Sequence, residues 1–280
     1  MDKNIDWIDL WRELVEVHVG SWSARFAGKG ESEEAGEAIA RAFDARVRER
    51  SKKRDSSRQA VIDALQAHPG STLLDIGAGS GAWVCRLAPY ARRITAIDSS
   101  SAMIDLMQKK LEEEGIDNVQ TVQGWWPDVT VEPHDFSLCS HAMYGSADLP
   151  AFVQRMMAVT RRTCFLVMRA PTPDGLMAEA ALHIWGHPYD SPNFQVAYNA
   201  LLQMGLFPNV LMEDSGLRPP RTNGSLEEAL SKVKRRLGLA HQTEHDEFLM
   251  DLLRRRLTWQ EGQYVWPSGV RSALIYWNVE

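Results

Sequence analysis

The sequence predicts an α/β fold: a doubly wound, mostly parallel sheet of seven strands with an antiparallel last strand, a helical N-terminal cap and inserted helices. Three observations carry that reading. The stretch TLLDIGAGSG at residues 72–81 joins a short apolar run to three glycines on alternate positions, and helix-forming sequence follows at once. From there to residue 123, runs of strand length alternate with helical patterns in the βαβαβ order of a parallel sheet. Sequence before and after this block has a helical period but no place in the sheet.

The glycine stretch comes first because it fixes the ligand's place. At Gly77, Gly79 and Gly81 the chain can turn sharply and expose bare backbone, while the next helix offers free N–H groups and a positive dipole end. Any ligand then lies beyond the C-terminal ends of the strands. The spacing Gly77-x-Gly79-x-x-Ala82 also satisfies a loose dinucleotide pattern, so an NAD(P)-dependent oxidoreductase stays open at this point. Asp75 separates the readings, since a carboxylate two residues before the first glycine would face a pyrophosphate at close range. S-adenosylmethionine (SAM) has no phosphate and presents an ammonium and a sulfonium instead, so Asp75 favours it.

The block LLDIGAGSG, with ITAIDSS downstream, resembles the SAM-binding signature of class I, Rossmann-like methyltransferases over roughly residues 60–170. The resemblance implies that Asp75, Gly77, Ala78, Gly79 and Gly81 surround the methionine part and that Asp98, with Ser99 beside it, takes the ribose hydroxyls. Asp98 lies about 20 residues beyond the first glycine, where a ribose-binding acid belongs. Met103 and the segment Gly124-Trp125-Trp126 are the candidates for adenine, although many class I enzymes carry an acid after the third strand and this chain does not. His141, at the end of the fourth strand, also falls within the implied cofactor site. The implied activity is methyl transfer from SAM, with S-adenosylhomocysteine as product.

Composition narrows the class further. At 280 residues and 44% apolar content, the chain can bury one large domain with a cap, expected as residues 1–58 over a methyltransferase domain at 59–280 with helical insertions at 171–192 and 215–262. A net charge of −6 argues against the nucleic-acid backbone as main partner. Cys85, Cys139 and Cys164 are scattered and read as buried thiols of a reducing cytoplasm. No apolar run reaches the ~18 residues that span a bilayer, and the start MDKNIDW lacks the order of a signal peptide. A soluble cytoplasmic protein is expected.

The remaining elements follow in order. Ile5, Ile8, Trp11, Leu14, Val15 and Val19 put an apolar stripe on a first helix over 4–19, and residues 20–35 read as a loop. Helical character returns over 36–66. A helix over 82–91, a strand over 93–98 and a helix from Ser99–Ser101 to Gly115 come after the glycine loop, then strands at 118–123, 136–141 and 163–169 with a helix at 148–160 between the last two. Helices are predicted at 175–187 and from Ser191 to Gly205, a strand at 209–213, two helices at 225–239 and 244–258, and a last strand at 272–279. Ser225-x-x-Glu228 is a capping box.

The acceptor is expected after the fourth strand. His141, Tyr144 and His183 can take a proton from an acceptor near neutral pH, although displacement at a sulfonium needs alignment more than a strong base. Trp11, Trp22, Phe26, Tyr144, Trp185, His187 and Tyr189 are candidates to line a closed pocket. No metal-ligating spacing is present. The expected partner is a small-molecule acceptor, with neither duplex nucleic acid nor a membrane. RNA or protein methylation and a non-catalytic SAM-binding module are the alternatives.

Overall fold

A computed structural model of the chain describes residues 5–26, 38, 40–42, 44–45, 47, 55–172, 174–213 and 220–279. In chain order the elements are α1 (Trp7–Phe26), α2 (Ser56–Ala67), β1 (Thr72–Ile76), α3 (Val84–Leu87), β2 (Arg93–Asp98), α4 (Ser101–Glu114), β3 (Val119–Gln123), β4 (His134–Ser140), α5 (Leu149–Ala158) and β5 (Thr160–Pro171). There follow α6 (Leu176–Trp185), α7 (Phe194–Gln203), β6 (Asn209–Met212), β7 (Thr222–Asn223), α8 (Leu226–Arg236), α9 (Asp246–Arg256), β8 (Thr258–Gln260), β9 (Gln263–Val265) and β10 (Val270–Asn278).

Seven strands form one sheet in the order β3-β2-β1-β4-β5-β10-β6. The pairs among β1 to β5 are parallel, and β10 enters antiparallel between β5 and β6. That meets the predicted architecture. All five residues of β1 are buried, as a central strand covered on both faces must be. The strand order reverses between β1 and β4, and in an open α/β sheet that switch point is where a crevice opens beyond the strand ends.

Each face has its own core. Leu74, Ile76, Cys139, Leu166 and Ile275 pack under α1, α5 and α7, while Leu73, Ile94, Phe136, Phe165 and Leu274 pack under α2, α3 and α4. Local sequence sets the helix ends: Ser100 caps α4, whose C-terminus stops at Gly115 in the left-handed region, and Asp148 caps α5. A third core joins α6, α8 and α9 through Leu176, Ala181, Val233, Leu249, Leu253 and Trp266.

Helix α1 belongs to the main core. Leu10, Trp11, Leu14 and Val15 are buried on one face, each worth about 1.5–3 kcal/mol for a fully buried large side chain. Trp11 Nε1 donates to the Ser146 carbonyl at 2.8 Å, and the Trp7 N–H donates to Gln203 Oε1 at 2.8 Å. These bonds tie α1 to the segment after β4 and to α7.

Three details depart from the sequence expectation. Helix α1 runs on to Phe26 instead of ending near residue 19, because one glycine costs a helix only about 1 kcal/mol and Ser21 to Phe26 contain no breaker. The helix after the glycine loop shortens to α3 and tightens into a 3₁₀ turn at Ala88–Tyr90, where Pro89 has no N–H to give. A small antiparallel sheet in the order β7-β9-β8 accompanies the two helices of the insertion at 215–262, with its middle strand β9 lying just beyond that bound. Glu261 and Gly262 both have positive φ, forming the two-residue turn between β8 and β9.

Candidate active site

The C-terminal ends of β1, β2 and β4 converge on the glycine loop. Gly77, Gly79 and Gly81 all adopt positive φ, at 71°, 56° and 80°. A Cβ on Gly77 would stand 2.2 Å from the Ala142 side chain, and one on Gly81 would stand 2.8 Å from Met107. Around Gly79 nothing lies within 4 Å of such a Cβ. The loop is thus pressed against β4's exit and against α4 while its middle glycine faces open space.

Two carboxylates stand at the strand ends beside that loop. Asp98 ends β2, where its Oδ2 accepts from the Gly79 N–H at 2.8 Å and its Oδ1 from the Ser100 N–H at 2.9 Å. Burial raises the carboxyl's pKa above its ordinary value despite the backbone N–H donors of Ser100, Gly79 and Ser99. Asp75 is 1% exposed, and neither of its oxygens has a hydrogen-bond partner among the described residues. Burial, with the charge of Asp98 added, pushes its pKa up to about 7.

An orphaned buried carboxylate, a second acid at the end of β2 and a glycine loop packed closely at Gly77 and Gly81 but open at Gly79 together fit SAM. Asp75 suits the ammonium and Asp98 the ribose diol. This fold and loop are similar to those of class I, Rossmann-like, SAM-dependent methyltransferases. In agreement, residues 73–163 match the family model described as a methyltransferase domain. An uncharacterized protein of Haemophilus influenzae is 24% identical over 230 residues, covering 79% of this chain and 81% of its own. Protein-L-isoaspartate O-methyltransferase 1 of Rhodopseudomonas palustris is 35% identical over 107 residues, and this match spans 37% of the chain and only 42% of that relative. The crystal structure of the YcgJ protein of Bacillus subtilis has the same fold, with a TM-score of 0.53 at 17% identity, covering 80% of this chain and 98% of that one.

The adenine candidates separate in space. Met103 is buried at the start of α4, and its N–H reaches the capping Ser100 hydroxyl at 3.4 Å. Gly124 donates its N–H to the Asp98 carbonyl at 2.9 Å, and Val129 fills the space where a Cβ would go. Trp125 is exposed, whereas Trp126 packs on Phe152 at 6.2 Å, donates to the Phe152 carbonyl and lies under Arg155. Ser99 is half-buried beside Asp98.

Past β4 the chain places His141 at φ 58°, a conformation that a non-glycine residue adopts only under constraint. Its Nδ1 lies 2.9 Å from the Tyr144 hydroxyl and its Nε2 3.3 Å from the Ser272 hydroxyl. The Arg169 N–H donates to that same Tyr144 oxygen at 2.7 Å, which leaves the hydroxyl proton available to His141. Arg169 and Ser272 are register partners on β5 and β10. The sequence analysis missed both, since only strand pairing brings residues so distant in sequence beside His141.

The pocket candidates divide. Trp185, His187 and Tyr189 form a row with ring spacings of 5.7 and 5.8 Å, and Tyr189 meets Trp7 edge-on at 5.5 Å. Burial lowers the His187 pKa and raises that of Tyr189. Trp11 is fully buried and acts as an anchor of α1. His183 stands apart, exposed and stacked on Phe248 at 3.6 Å. Trp22 and Phe26 lie on α1, and their side chains fall outside the described residues.

Two outcomes follow from the carboxylates. Asp98→Ala should weaken SAM binding by tens-fold or more, at about 1.5–3 kcal/mol per hydrogen bond to a charged group, and unchanged calorimetric affinity in the folded variant would remove Asp98 from the ribose. Asp75 gives a pH dependence. Its folded pKa, about 7, lies above the ordinary value of 3.8, so its contribution to apo stability is present below 3.8 and is lost as pH rises towards 7. An ammonium favours the ionised form, so SAM affinity should rise through pH 7 with proton release. Calorimetry in buffers of different ionisation enthalpy reads that proton; uptake in place of release would contradict the assignment.

Proposed function

We propose that this enzyme transfers the SAM methyl group to a small organic acceptor held between the exit of β4 and a helical cover. In this reading residues 1–58 are the cap, residues 59–280 the methyltransferase domain, and the insertions at 171–192 and 215–262 complete the cover; the 58/59 boundary falls inside α2. The observation that carries it is the row of Trp7, Tyr189, His187 and Trp185 from α1 and the α6–α7 connection, three of which (Trp7, Trp185 and Tyr189) pack on the core that holds Met143 and Tyr144, with Trp11 bonded to Ser146.

SAM supplies a methyl group already activated by its sulfonium charge. The protein's part is then to hold the acceptor in line and exclude water, and positioning of this kind contributes roughly 7–11 kcal/mol. An acceptor proton reaches His141 through the Tyr144 hydroxyl, which donates to Nδ1, because that bond leaves the ring's own proton on Nε2 beside Ser272. His183, stacked on Phe248, keeps at most a remote role.

Macromolecular acceptors find less support in the basic clusters. Arg255 and Arg256 pair with Glu179, Lys234 with Asp246 and Arg236 with Asp190, so these charges are turned inward or neutralised locally. Lys52 to Arg54 lie outside the described residues. No helix among the described residues is long and apolar enough to cross a membrane, and the buried thiols of Cys139 and Cys164, both pushed up to about 12 by burial, suit a reducing cytoplasm.

The test is release of S-adenosylhomocysteine with pooled metabolites, run beside tRNA, rRNA and protein substrates. Turnover confined to the macromolecules would overturn the small-molecule reading. Turnover with none of them would favour the non-catalytic module.

A further inference from the structure

A buried ion pair reaches the glycine loop from outside the cofactor signature. Lys110 lies on the core-facing side of α4 with Met103, Met107 and Leu111, an unusual place for an ammonium. Its Nζ pairs with the Asp44 carboxylate and donates to the Ser80 carbonyl at 2.8 Å. The Ser80 hydroxyl donates to the same Asp44 carboxylate at 2.5 Å. Both charged side chains are about nine-tenths buried, at 10% and 9% exposure. Ser80 thus has its carbonyl and its hydroxyl held by two charges that neutralise each other, as buried charges require.

Ser80 sits between Gly79, whose N–H holds Asp98, and Gly81, which is pressed on Met107 of the same helix α4. Fixing the Ser80 carbonyl fixes the peptide on its C-terminal side, and its hydroxyl anchors the residue next to the Gly79–Asp98 contact. Asp44 comes from the N-terminal part of the chain, 36 residues before Ser80.

We infer that Asp44 and Lys110 are cofactor-positioning residues: the pair locks the glycine loop in its SAM-receiving shape and couples the placement of Asp44 to occupancy of the cofactor site. Neither residue touches the cofactor in this account; both act through Ser80. Coupling of this kind is reciprocal, so SAM must stabilise the docked Asp44 as much as docked Asp44 strengthens SAM binding. The inference rests on the SAM reading of the loop.

The experiment has two arms. In the first, calorimetry with SAM compares the wild-type chain, Lys110→Met, and the double variant Asp44→Leu/Lys110→Met, which removes both charges together and so leaves no unpaired ion to unfold the protein. Both variants should bind SAM at least ten-fold more weakly, and Lys110→Arg, which keeps the charge, should recover part of the loss. In the folded double variant a merely structural pair would leave SAM affinity within two-fold of wild type, and that result overturns the inference. In the second arm, hydrogen exchange of the wild-type peptide carrying Asp44 is measured with and without saturating SAM; protection should increase, and identical exchange overturns the coupling. Failure of the wild-type chain to bind SAM at all would overturn the SAM reading with it, an outcome distinct from tight binding that the variants leave unchanged.

Discussion

Asp190→Ala should destabilise the protein by about 3–5 kcal/mol, the cost of leaving buried charge without its partner. Asp190 is 1% exposed at the end of the α6–α7 connection. Arg169 of β5 reaches one carboxylate oxygen at 3.3 Å and Arg236 of α8 pairs with the other, while both guanidiniums donate to the Ser191 hydroxyl. Burial alone would raise the Asp190 pKa; the two guanidiniums overcome it and hold the pKa at about 2. One carboxylate therefore fastens the sheet, the α6–α7 connection and the helical insertion together.

Denaturant titration of the alanine variant should show a large fall in midpoint, and a change under about 1 kcal/mol would mean that the pair contributes little net. The wild type adds a pH signature. Because the folded pKa lies below the ordinary value of 3.8, this stability is complete above that value and is lost as pH falls towards about 2, an effect near 2 kcal/mol at about 1.4 kcal/mol per pKa unit. Asp190→Asn should flatten that acid limb.

Gly77→Ala should abolish SAM binding in a protein that still folds its outer elements. The new methyl would stand 2.2 Å from the Ala142 side chain, well inside contact distance, and φ of 71° disfavours any side chain. Relief requires either the loop or the exit of β4 to move, and those two segments carry Asp98's contact and His141. The predicted result is loss of more than about 100-fold in affinity, or roughly 3 kcal/mol, with little change in circular dichroism. Gly79→Ala provides a contrast in folding: it has the same backbone sign but open space around it, so it should cost less stability than Gly77→Ala.

How much of this was legible beforehand follows from the range of each interaction. Strand β2 matches its predicted bounds, and the Ser100 and Gly115 caps of α4 match because each is written in adjacent residues. The glycine loop and its two acids were readable for the same reason. The small sheet was not, since strands of two or three residues are too short to show a period, and Glu261-Gly262 lacks the usual Asn-Gly signal for a two-residue turn. Trp126 and Trp125 looked equivalent in sequence, but one is partly buried against Phe152 and the other exposed, which packing alone decides. Arg169, Ser272, Lys110 and Asp44 were invisible as site residues because their partners lie 25 to 131 residues away. The aromatic row was partly readable: Trp185, His187 and Tyr189 are close in sequence, and Trp7 joins them only once α1 docks.

The central claim is that the crevice at the ends of β1, β2 and β4 is a SAM site, and calorimetric titration of the wild-type chain tests it most directly. The account predicts one SAM bound per chain, tighter above pH 7 than below it, and no heat from NADH under the same conditions. Binding of NADH with silence towards SAM would contradict it.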